Sequence, residues 1–250
     1  MQMNARNHHG FTLIELMLTL AMSSMIIISM YTFYVAQQQN SNVQQDITSM
    51  QQDIRGALQL LSRDIRMAGF SPTASGDFGF LLNGTFSTEG GLTEAVSTSS
   101  TTLAFTSDLN GNGNVDTTAT DIDNNGTIDM REMEQIAYRY NAASSSIQRY
   151  SSTTGVVEWQ DIAENIDGVE FWYQLSDGTL TLAPTAAQIS TVRSIRVTLL
   201  ARSGFRDHEF TNTTVYTAAS GASFNGGIPY NDNFRRLRLE LTIQCRNTGT

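Results

Sequence analysis

Residues 10–36 read GFTLIELMLTLAMSSMIIISMYTFYVA, and this stretch sets the organisation of the whole chain. From Phe11 to Ala36 it contains a single charged side chain, Glu15, and neither glycine nor proline. A helix of this length measures ~39 Å, whereas the hydrocarbon core of a bilayer is ~30 Å thick. The sequence therefore predicts a membrane-spanning helix over residues 11–36.

Glu15 is the exception within this apolar run. An unpaired carboxylate in lipid costs several kcal/mol, so an acid at this position needs a partner. If the chain is cleaved between Gly10 and Phe11, the new α-amino group lies four residues before Glu15. That spacing places the two groups one helical turn apart on the same face. The amine of a neighbouring copy is the other candidate partner.

Residues 1–10 form a hydrophilic leader with one arginine, Arg6. A secretory signal peptide has its cleavage site after an apolar region, but here the small residue Gly10 precedes the apolar run. Cleavage after Gly10 would therefore leave the hydrophobic helix attached. Because Arg6 favours a cytoplasmic location for this end, the bulk of the chain is expected outside the cytoplasm.

The N-terminal pattern resembles the class III signal of type IV pilins and pseudopilins. The resemblance rests on the polar leader ending in Gly10, then Phe11, Thr12, Leu13 and Glu15 before the apolar run. It implies cleavage between Gly10 and Phe11 by a prepilin peptidase, N-methylation of Phe11, and assembly with other pilins through the helix. In such an assembly Glu15 would pair with the N-terminal amine of a neighbour. The alternative is an ordinary, uncleaved signal-anchor that carries a glutamate.

Beyond Ala36 the helical pattern continues, but one face becomes polar. After a polar stretch at residues 37–45, apolar side chains recur at steps of three and four, which is the period of an amphipathic helix. These side chains are Val43, Ile47, Met50, Ile54, Leu58, Leu61 and Ile65. Gly69 is typical of a helix C-terminus. We therefore expect residues 37–69 to continue the helix into a head domain, with Gly56 and the polar stretch at residues 37–45 as candidate bends.

A second resemblance covers more of the chain. Residues 63–70, RDIRMAGF, are similar to the helix end of PilW-like minor pilins, and residues 197–203 and 246–247 extend the similarity. It implies a minor pilin near the filament tip that initiates or supports assembly, and through it motility, adhesion or DNA uptake. The main pilin usually closes its C-terminal loop with a disulfide, which the single Cys245 does not allow. A J-type pseudopilin of type II secretion shares the same features and is the alternative.

The composition fits an extracytoplasmic domain that does not bind polyanions. The chain has 15 basic residues, all arginine, against 24 acidic ones, for a net charge of −9. Such a surface disfavours nonspecific binding of nucleic acid by the isolated domain. Residues 70–250 are enough for one domain with a substantial core. The predicted fold class is α+β, with the long N-terminal helix followed by a β-rich, pilin-like head.

Period-2 alternation predicts strands through this head domain. The expected buried positions are Val169, Phe171 and Tyr173, then Ile195, Val197 and Leu199, then Leu237, Leu239, Leu241, Ile243 and Cys245. Polar residues alternate with them, including Glu170 and Thr198. Cys245 is accordingly expected to be a small apolar residue rather than a nucleophile.

Residues 121–132, DIDNNGTIDMRE, carry the main chemical motif. Oxygen-bearing residues stand at positions 1, 3, 5, 7, 9 and 12, with Gly126 at position 6, which matches an EF-hand-type calcium loop. The predicted ligands are Asp121, Asp123, Asn125, Thr127 (through its carbonyl), Asp129 and Glu132. The alternative is an Asp- and Asn-rich surface turn without metal.

A weaker copy of this motif precedes it. Its candidate ligands are Asp108, Asn110, Asn112, Asn114 and Asp116. Ala119 stands where the closing acid should be, so this loop would either borrow Asp121 or be only a turn. Strand-like alternation on both sides predicts a calcium-loop insertion at residues 108–132 between two strands. The expected role of Ca²⁺ is to rigidify that loop.

No catalytic constellation is evident in the sequence. Of the three histidines, His8 and His9 lie in the leader, which leaves only His208 after processing. No serine or cysteine nucleophile motif accompanies it. We therefore predict that the chain is not an enzyme. A calcium-dependent extracellular binding module carried on a filament remains a further possibility.

Overall fold

The computed structural model describes residues 12–73, 78–87, 93–109, 111–115, 134–153 and 156–248. The chain divides into two compact units, Met1–Asp46 and Ile47–Thr250. One α-helix, α1 (Leu13–Met67), contributes to both. The two units are described separately below.

The first unit consists of the apolar half of α1. Its large hydrophobic side chains from Leu13 to Tyr34 are between 58% and 76% exposed. This part of the helix is long and apolar enough to cross a membrane, and none of it is buried within the chain. The prediction of a long N-terminal apolar helix followed by a β-rich domain is confirmed.

The second unit contains the end of α1 and the strands. These are β1 (Asn83–Ser87), β2 (Thr93–Ser97), β3 (Thr102–Thr106), β4 (Gln135–Asn141), β5 (Ser146–Thr153), β6 (Val156–Ala163), β7 (Ile166–Leu175), β8 (Leu180–Thr181), β9 (Val192–Arg202) and β10 (Arg236–Gln244). Short 3-10 turns occur at Ile189–Thr191 and Phe224–Gly227.

The described strands form three antiparallel sheets. One is the β1–β2 hairpin; the second has the order β3-β4-β5-β6; the third has the order β10-β9-β7-β8. In the third sheet the whole of β10 pairs with β9, from Arg236 opposite Arg202 to Gln244 opposite Ser194. The longest strands therefore lie next to each other, with β10 at an edge.

The main core lies between α1 and the two larger sheets. The predicted helical stripe is buried from Met50 to Ile65, with exposures of 7% or less. It packs with strand residues such as Phe105, Tyr138, Phe171 and Val197, all fully buried. Leu237, Leu239 and Leu241 of β10 are only partly buried against the same core. The helix stripe and the inward strand positions were thus predicted correctly from periodicity.

A second, smaller core lies on the other face of the β3–β6 sheet. Phe86 packs edge-on against Tyr150 with ring centroids 4.7 Å apart, and Tyr150 packs against Trp159 at 5.6 Å. Ala104 and Ala137, which alternation places on the outer face, are fully buried here. Both faces of this sheet are therefore covered, which one-sided alternation does not indicate.

The end of α1 is fixed by the last residues of the described chain. Gly69 follows the helix with a φ of +73°, the left-handed conformation that glycine adopts without strain. The Asn247 side-chain amide donates to the carbonyls of Arg66 (3.3 Å) and Ala68 (3.5 Å), which have no partner within the helix. The predicted helix end at Gly69 is therefore borne out by its backbone conformation.

Cys245 lies just beyond the end of β10 rather than within it. Its side chain is partly buried and packs against the main core. This burial raises the pKa of the thiol to about 12. The thiol is therefore protonated at neutral pH and behaves as an apolar packing group.

Candidate assembly and metal sites

Glu15 closes the first turn of α1. The Thr12 amide and hydroxyl each donate to Glu15 Oε2 at 2.9 Å, and the Glu15 amide donates back to Thr12 Oγ1 at 3.3 Å. This reciprocal pattern is a capping box, in which the side chains at the first and fourth positions satisfy free helix amides. The sequence signal for it, T-x-x-E at residues 12–15, was present but not used in the prediction. Gly10 and Phe11 lie outside the described residues.

The second unit holds a buried charged cluster between α1 and the β3–β6 sheet. Asp64 is 5% exposed and accepts hydrogen bonds from Tyr138 Oη (2.7 Å) and Arg149 Nε (2.9 Å) on its Oδ2 atom. Arg63 Nε donates to Asp64 Oδ1 at 3.0 Å. Burial, together with the negative charge of Asp64, raises the pKa of the Tyr138 phenol well above its usual range. The buried bond between Asp64 and Tyr138 fixes the rotation of the helix relative to the sheet, because both side chains are buried and their hydrogen bond has a defined geometry.

The long connection 203–235 between β9 and β10 is held by an arginine instead of a disulfide. The Arg236 side chain is 1% exposed and donates to Asp232 through both Nη atoms (2.6 and 2.7 Å) and to Asp167 through Nε (2.6 Å). Its guanidinium also stacks on Tyr230 at 3.5 Å. The Arg236 hydrogen bonds lower the pKa of the Asp232 carboxyl. A neighbouring pair, Arg235 and Asp207 at 2.7 Å, reinforces the same loop.

This connection also covers the outer face of β7 and β9. Glu170, which alternates with the expected buried positions of β7, is 5% exposed and accepts hydrogen bonds from the Ser220 amide (3.1 Å) and hydroxyl (2.6 Å). The ring of Phe224 lies against Gly168, where an added Cβ would meet it at 2.4 Å. Glu170 and Gly168 are therefore covered, because residues 203–235 fold over this face.

The first candidate calcium loop is described only in part. Asp108 is fully buried, and its carboxylate accepts hydrogen bonds from the amides of Gly111 (2.6 Å) and Gly113 (3.2 Å). Glu134 Oε1 accepts the Leu109 amide at 2.9 Å from the far side of the insertion. These bonds build a tight turn around Asp108, whose Oδ2 atom also accepts a hydrogen bond from the Ser71 hydroxyl at 3.4 Å. The turn interpretation alone thus accounts for Asp108.

The rest of the metal prediction lies outside the described residues. Asn110, Asp116 and the full set Asp121, Asp123, Asn125, Thr127, Asp129 and Glu132 belong to this group. Asn112 and Asn114 are described and joined by a hydrogen bond from the Asn114 amide to Asn112 Oδ1 at 2.7 Å. In the ranges that the structure covers, no group of three His, Cys, Asp or Glu side chains is placed to hold a metal. The calcium site therefore stays a prediction.

The sequence analysis did not predict the two buried charge clusters around Asp64 and Arg236, and only the first of them leaves a signal in the local sequence. Asp64 stands on the apolar stripe, three residues after Leu61 and one before Ile65, so a buried acid could have been predicted there. Arg236 gave no such signal, since its partner Asp167 lies 69 residues away in the sequence. Its role depends on strand register and loop path.

Comparison with known proteins gives two family matches. A profile described as prepilin peptidase-dependent protein B matches residues 43–219. A profile of the prokaryotic N-terminal methylation motif matches residues 5–31. No curated protein matches the chain. Among solved structures, the chain is similar to a type IV-like pilin from Thermus thermophilus, with 14% identity, a TM-score of 0.47, and coverage of 81% of this chain and 100% of that one.

Proposed function

Since the chain belongs to the prepilin peptidase-dependent protein B family, we propose that it is a minor pilin of the PilW-like kind in a type IV pilus. The resemblance to type IV pilins drawn from Gly10, Phe11 and Glu15 agrees with the methylation motif matched at residues 5–31. The observation that carries the proposal is the apolar half of α1, whose side chains are exposed along its whole length. Such a surface needs lipid or other helices to cover it.

The proposed pathway follows from the N-terminal residues. A prepilin peptidase cleaves between Gly10 and Phe11, and the new N-terminus of Phe11 is methylated. The helix then holds the protein in the inner membrane of a bacterium by a single pass, with its C-terminal domain outside the cytoplasm. On assembly the helix moves from lipid into the filament, where Glu15 pairs with an N-terminal amine. The role is structural rather than catalytic, near the filament tip, and serves motility, adhesion or DNA uptake.

The decisive test is the intact mass and N-terminal peptide map of the protein isolated from its own membranes. We expect a chain that begins at Phe11 with one added methyl group. A Gly10→Val variant is the matched control, because a β-branched residue replaces the small residue at the cut, and it should remain full-length. A wild-type chain that still begins at Met1, in cells that process other prepilins, would contradict the proposal and favour an ordinary signal-anchor.

A J-type pseudopilin of type II secretion is the alternative within the same class. The observations that support the minor pilin, namely the leader, helix and β-rich head, support it equally. Deletion of the gene distinguishes the two: loss of surface filaments with normal protein export identifies a pilin, and loss of export with normal filaments identifies a pseudopilin.

We further propose that residues 121–132 bind one Ca²⁺ through Asp121, Asp123, Asn125, Thr127, Asp129 and Glu132. The support is the complete twelve-residue pattern, which supplies the oxygen ligands that Ca²⁺ prefers. The loop of Asp108, Asn110, Asn112, Asn114 and Asp116 would be a second, weaker site. The ion would stiffen the insertion rather than activate a substrate.

The calcium proposal is tested by thermal melting of the purified full chain in detergent with Ca²⁺ or a chelator. We expect chelation to lower the melting temperature of wild type by a few degrees and to leave an Asp121→Ala variant unchanged. Asp177→Asn is the control, because this exposed acid lies outside the insertion and an amide oxygen keeps its hydrogen bond from the Thr179 amide; it should respond to chelation as wild type does. A melt that is insensitive to calcium would count against the site.

A calcium-dependent adhesive module is the third candidate function. If Asp121→Ala assembles into filaments normally but the cells lose attachment to a surface, the head domain is the binding module and the filament its carrier. If attachment is unchanged, the ion serves stability alone.

A further inference from the structure

An open groove runs along the last turns of α1 within the second unit. It has a volume of about 900 Å³ and lies between the helix and the end of β10. Its lining includes Arg55, Gly56 and Leu60 from the helix, and Leu241 and Arg246 from the opposite side. Apolar side chains thus lie next to arginines at a surface that the described chain leaves uncovered.

Three of the four arginines that line this groove have no acidic partner among the described residues. Among the described residues, Arg55, Arg66 and Arg246 make no ion pair, whereas Arg63 pairs with Asp64. Arg66 lies in the last turn of α1, where the helix dipole favours a cation. Arg55 lies about three turns earlier, beyond the range of that effect. Unpaired arginines gathered on one face of a chain with a net charge of −9 indicate an acidic partner.

Gly56 points to a close approach by that partner. A glycine inside a helix costs about 1 kcal/mol relative to alanine. The helix continues through Gly56, so this glycine does not serve to end it. A Cβ built on Gly56 has no atom within 4 Å, so no packing contact within the described chain requires glycine at this position. A glycine at such a place allows another backbone to approach the helix closely.

We propose that this groove, lined by Arg55, Gly56, Leu60, Arg66, Leu241 and Arg246, docks an acidic, partly apolar segment of a neighbouring filament subunit. The backbone of that segment passes over Gly56, its apolar side chains cover Leu60 and Leu241, and its carboxylates pair with the arginines. The inference rests on the proposed function and adds to it the surface by which the head domain recognises an adjacent subunit.

A protein segment fits the groove better than a polyanion does. Phosphate groups of lipid or nucleic acid would pair with the arginines but would leave the apolar lining of Leu60 and Leu241 uncovered. The acidic surface of the chain also repels extended polyanions. In addition, β10 has no strand on its outer edge within the described part of the chain, so backbone groups are available beside the groove.

The test uses the full-length protein in cells that assemble filaments. A photo-crosslinking phenylalanine analogue replaces Gln59, which is exposed and lines the groove. Crosslinked products are identified by mass spectrometry, and incorporation is measured in sheared filaments. The same experiment is repeated with Arg55→Gln plus Arg66→Gln, and with Gly56→Trp, which fills the groove. The controls are Arg206→Gln, an exposed arginine of the 203–235 connection, and Arg193→Gln, an exposed arginine of β9 outside the groove lining.

We expect Gln59 to crosslink to an acidic segment of a pilin-like subunit. The double arginine change and Gly56→Trp should each lower the yield about tenfold, and the two controls should leave it unchanged. Crosslinks to lipid or nucleic acid, or a yield that is insensitive to the arginines, would overturn the inference while the protein remains in filaments. A protein absent from both filaments and pilin-like crosslinks would overturn the proposed function as well, so the two failures are distinguishable.

Discussion

Glu15 accepts two hydrogen bonds from Thr12, and a glutamine at this position could accept them equally well. A glutamine cannot supply a negative charge for an N-terminal amine. We therefore expect Glu15→Gln to insert and be processed normally but to enter filaments as poorly as Glu15→Ala. The measurement is the ratio of protein in sheared filaments to protein in membranes. If Glu15→Gln assembles normally and Glu15→Ala does not, the residue acts through helix capping alone.

Arg236 is the residue on which the closure of the 203–235 connection depends. Replacing it with methionine removes the cation that Asp167 and Asp232 share, and leaves Asp167, which is only 9% exposed, with the more distant Arg202 at 3.6 Å. We expect Arg236→Met to lower the free energy of unfolding by about 3–5 kcal/mol, measured by urea titration of the full chain in detergent. Arg238→Met is the control; its partner Glu240 is one-third exposed, so the loss should stay below about 1 kcal/mol. Similar losses in both variants would contradict the role given to Arg236.

At the scale of the element, two glycines of the helix region should respond to alanine in opposite directions. Gly56→Ala adds a Cβ into open space and improves helix propensity, so it should stabilise the chain by up to about 1 kcal/mol. Gly69→Ala forces a side chain into the left-handed conformation and places it 2.5 Å from Thr248 Cγ2, so it should destabilise by about 1–2 kcal/mol or more. The urea midpoints of the two variants provide the measurement. A stabilising Gly69→Ala would disprove the described helix end.

The elements also mark how far the sequence could predict the structure. The stripe from Met50 to Ile65 was predictable because a helix that buries one face repeats its apolar residues at the helical period. The outer faces of β4 and β7 were not, because distant segments cover them: the β1–β2 hairpin and the 203–235 connection. Glu170 reads as solvent-facing by alternation and is buried by Ser220, 50 residues away. Alternation of apolar and polar residues indicates only one buried face of a sheet, whereas the second face of each larger sheet is also covered in this head domain.

The candidate sites also differ in whether the local sequence is enough to predict them. Gly10, Phe11 and Glu15 were predictable because a processing signal is read locally by an enzyme and needs no tertiary structure. Asp64 was visible as a charge on an apolar stripe, but its partners Tyr138 and Arg149 depend on strand register. Long-range charge clusters have no local sequence pattern, so structure is needed to find them.

For the whole molecule, three buried phenols and one partly buried phenol predict a loss of stability in alkali. Burial raises the pKa of Tyr150 and Tyr230 to about 12 from an ordinary value of 10.0, and raises those of Tyr138 and Tyr173 further still. Between pH 10 and 12 the unfolded chain therefore binds fewer protons than the folded one, so the stability falls as pH rises. Below pH 10 this contribution is fully present. The measurement is the urea midpoint of the full chain at intervals from pH 8 to 12, which should be level at first and then decline. Tyr230→Phe removes one of the four titrations, and its decline should be shallower than that of wild type. A wild-type midpoint that stays level to pH 12 would contradict this prediction, because it would mean that these phenols ionise as easily in the folded chain as in the unfolded one.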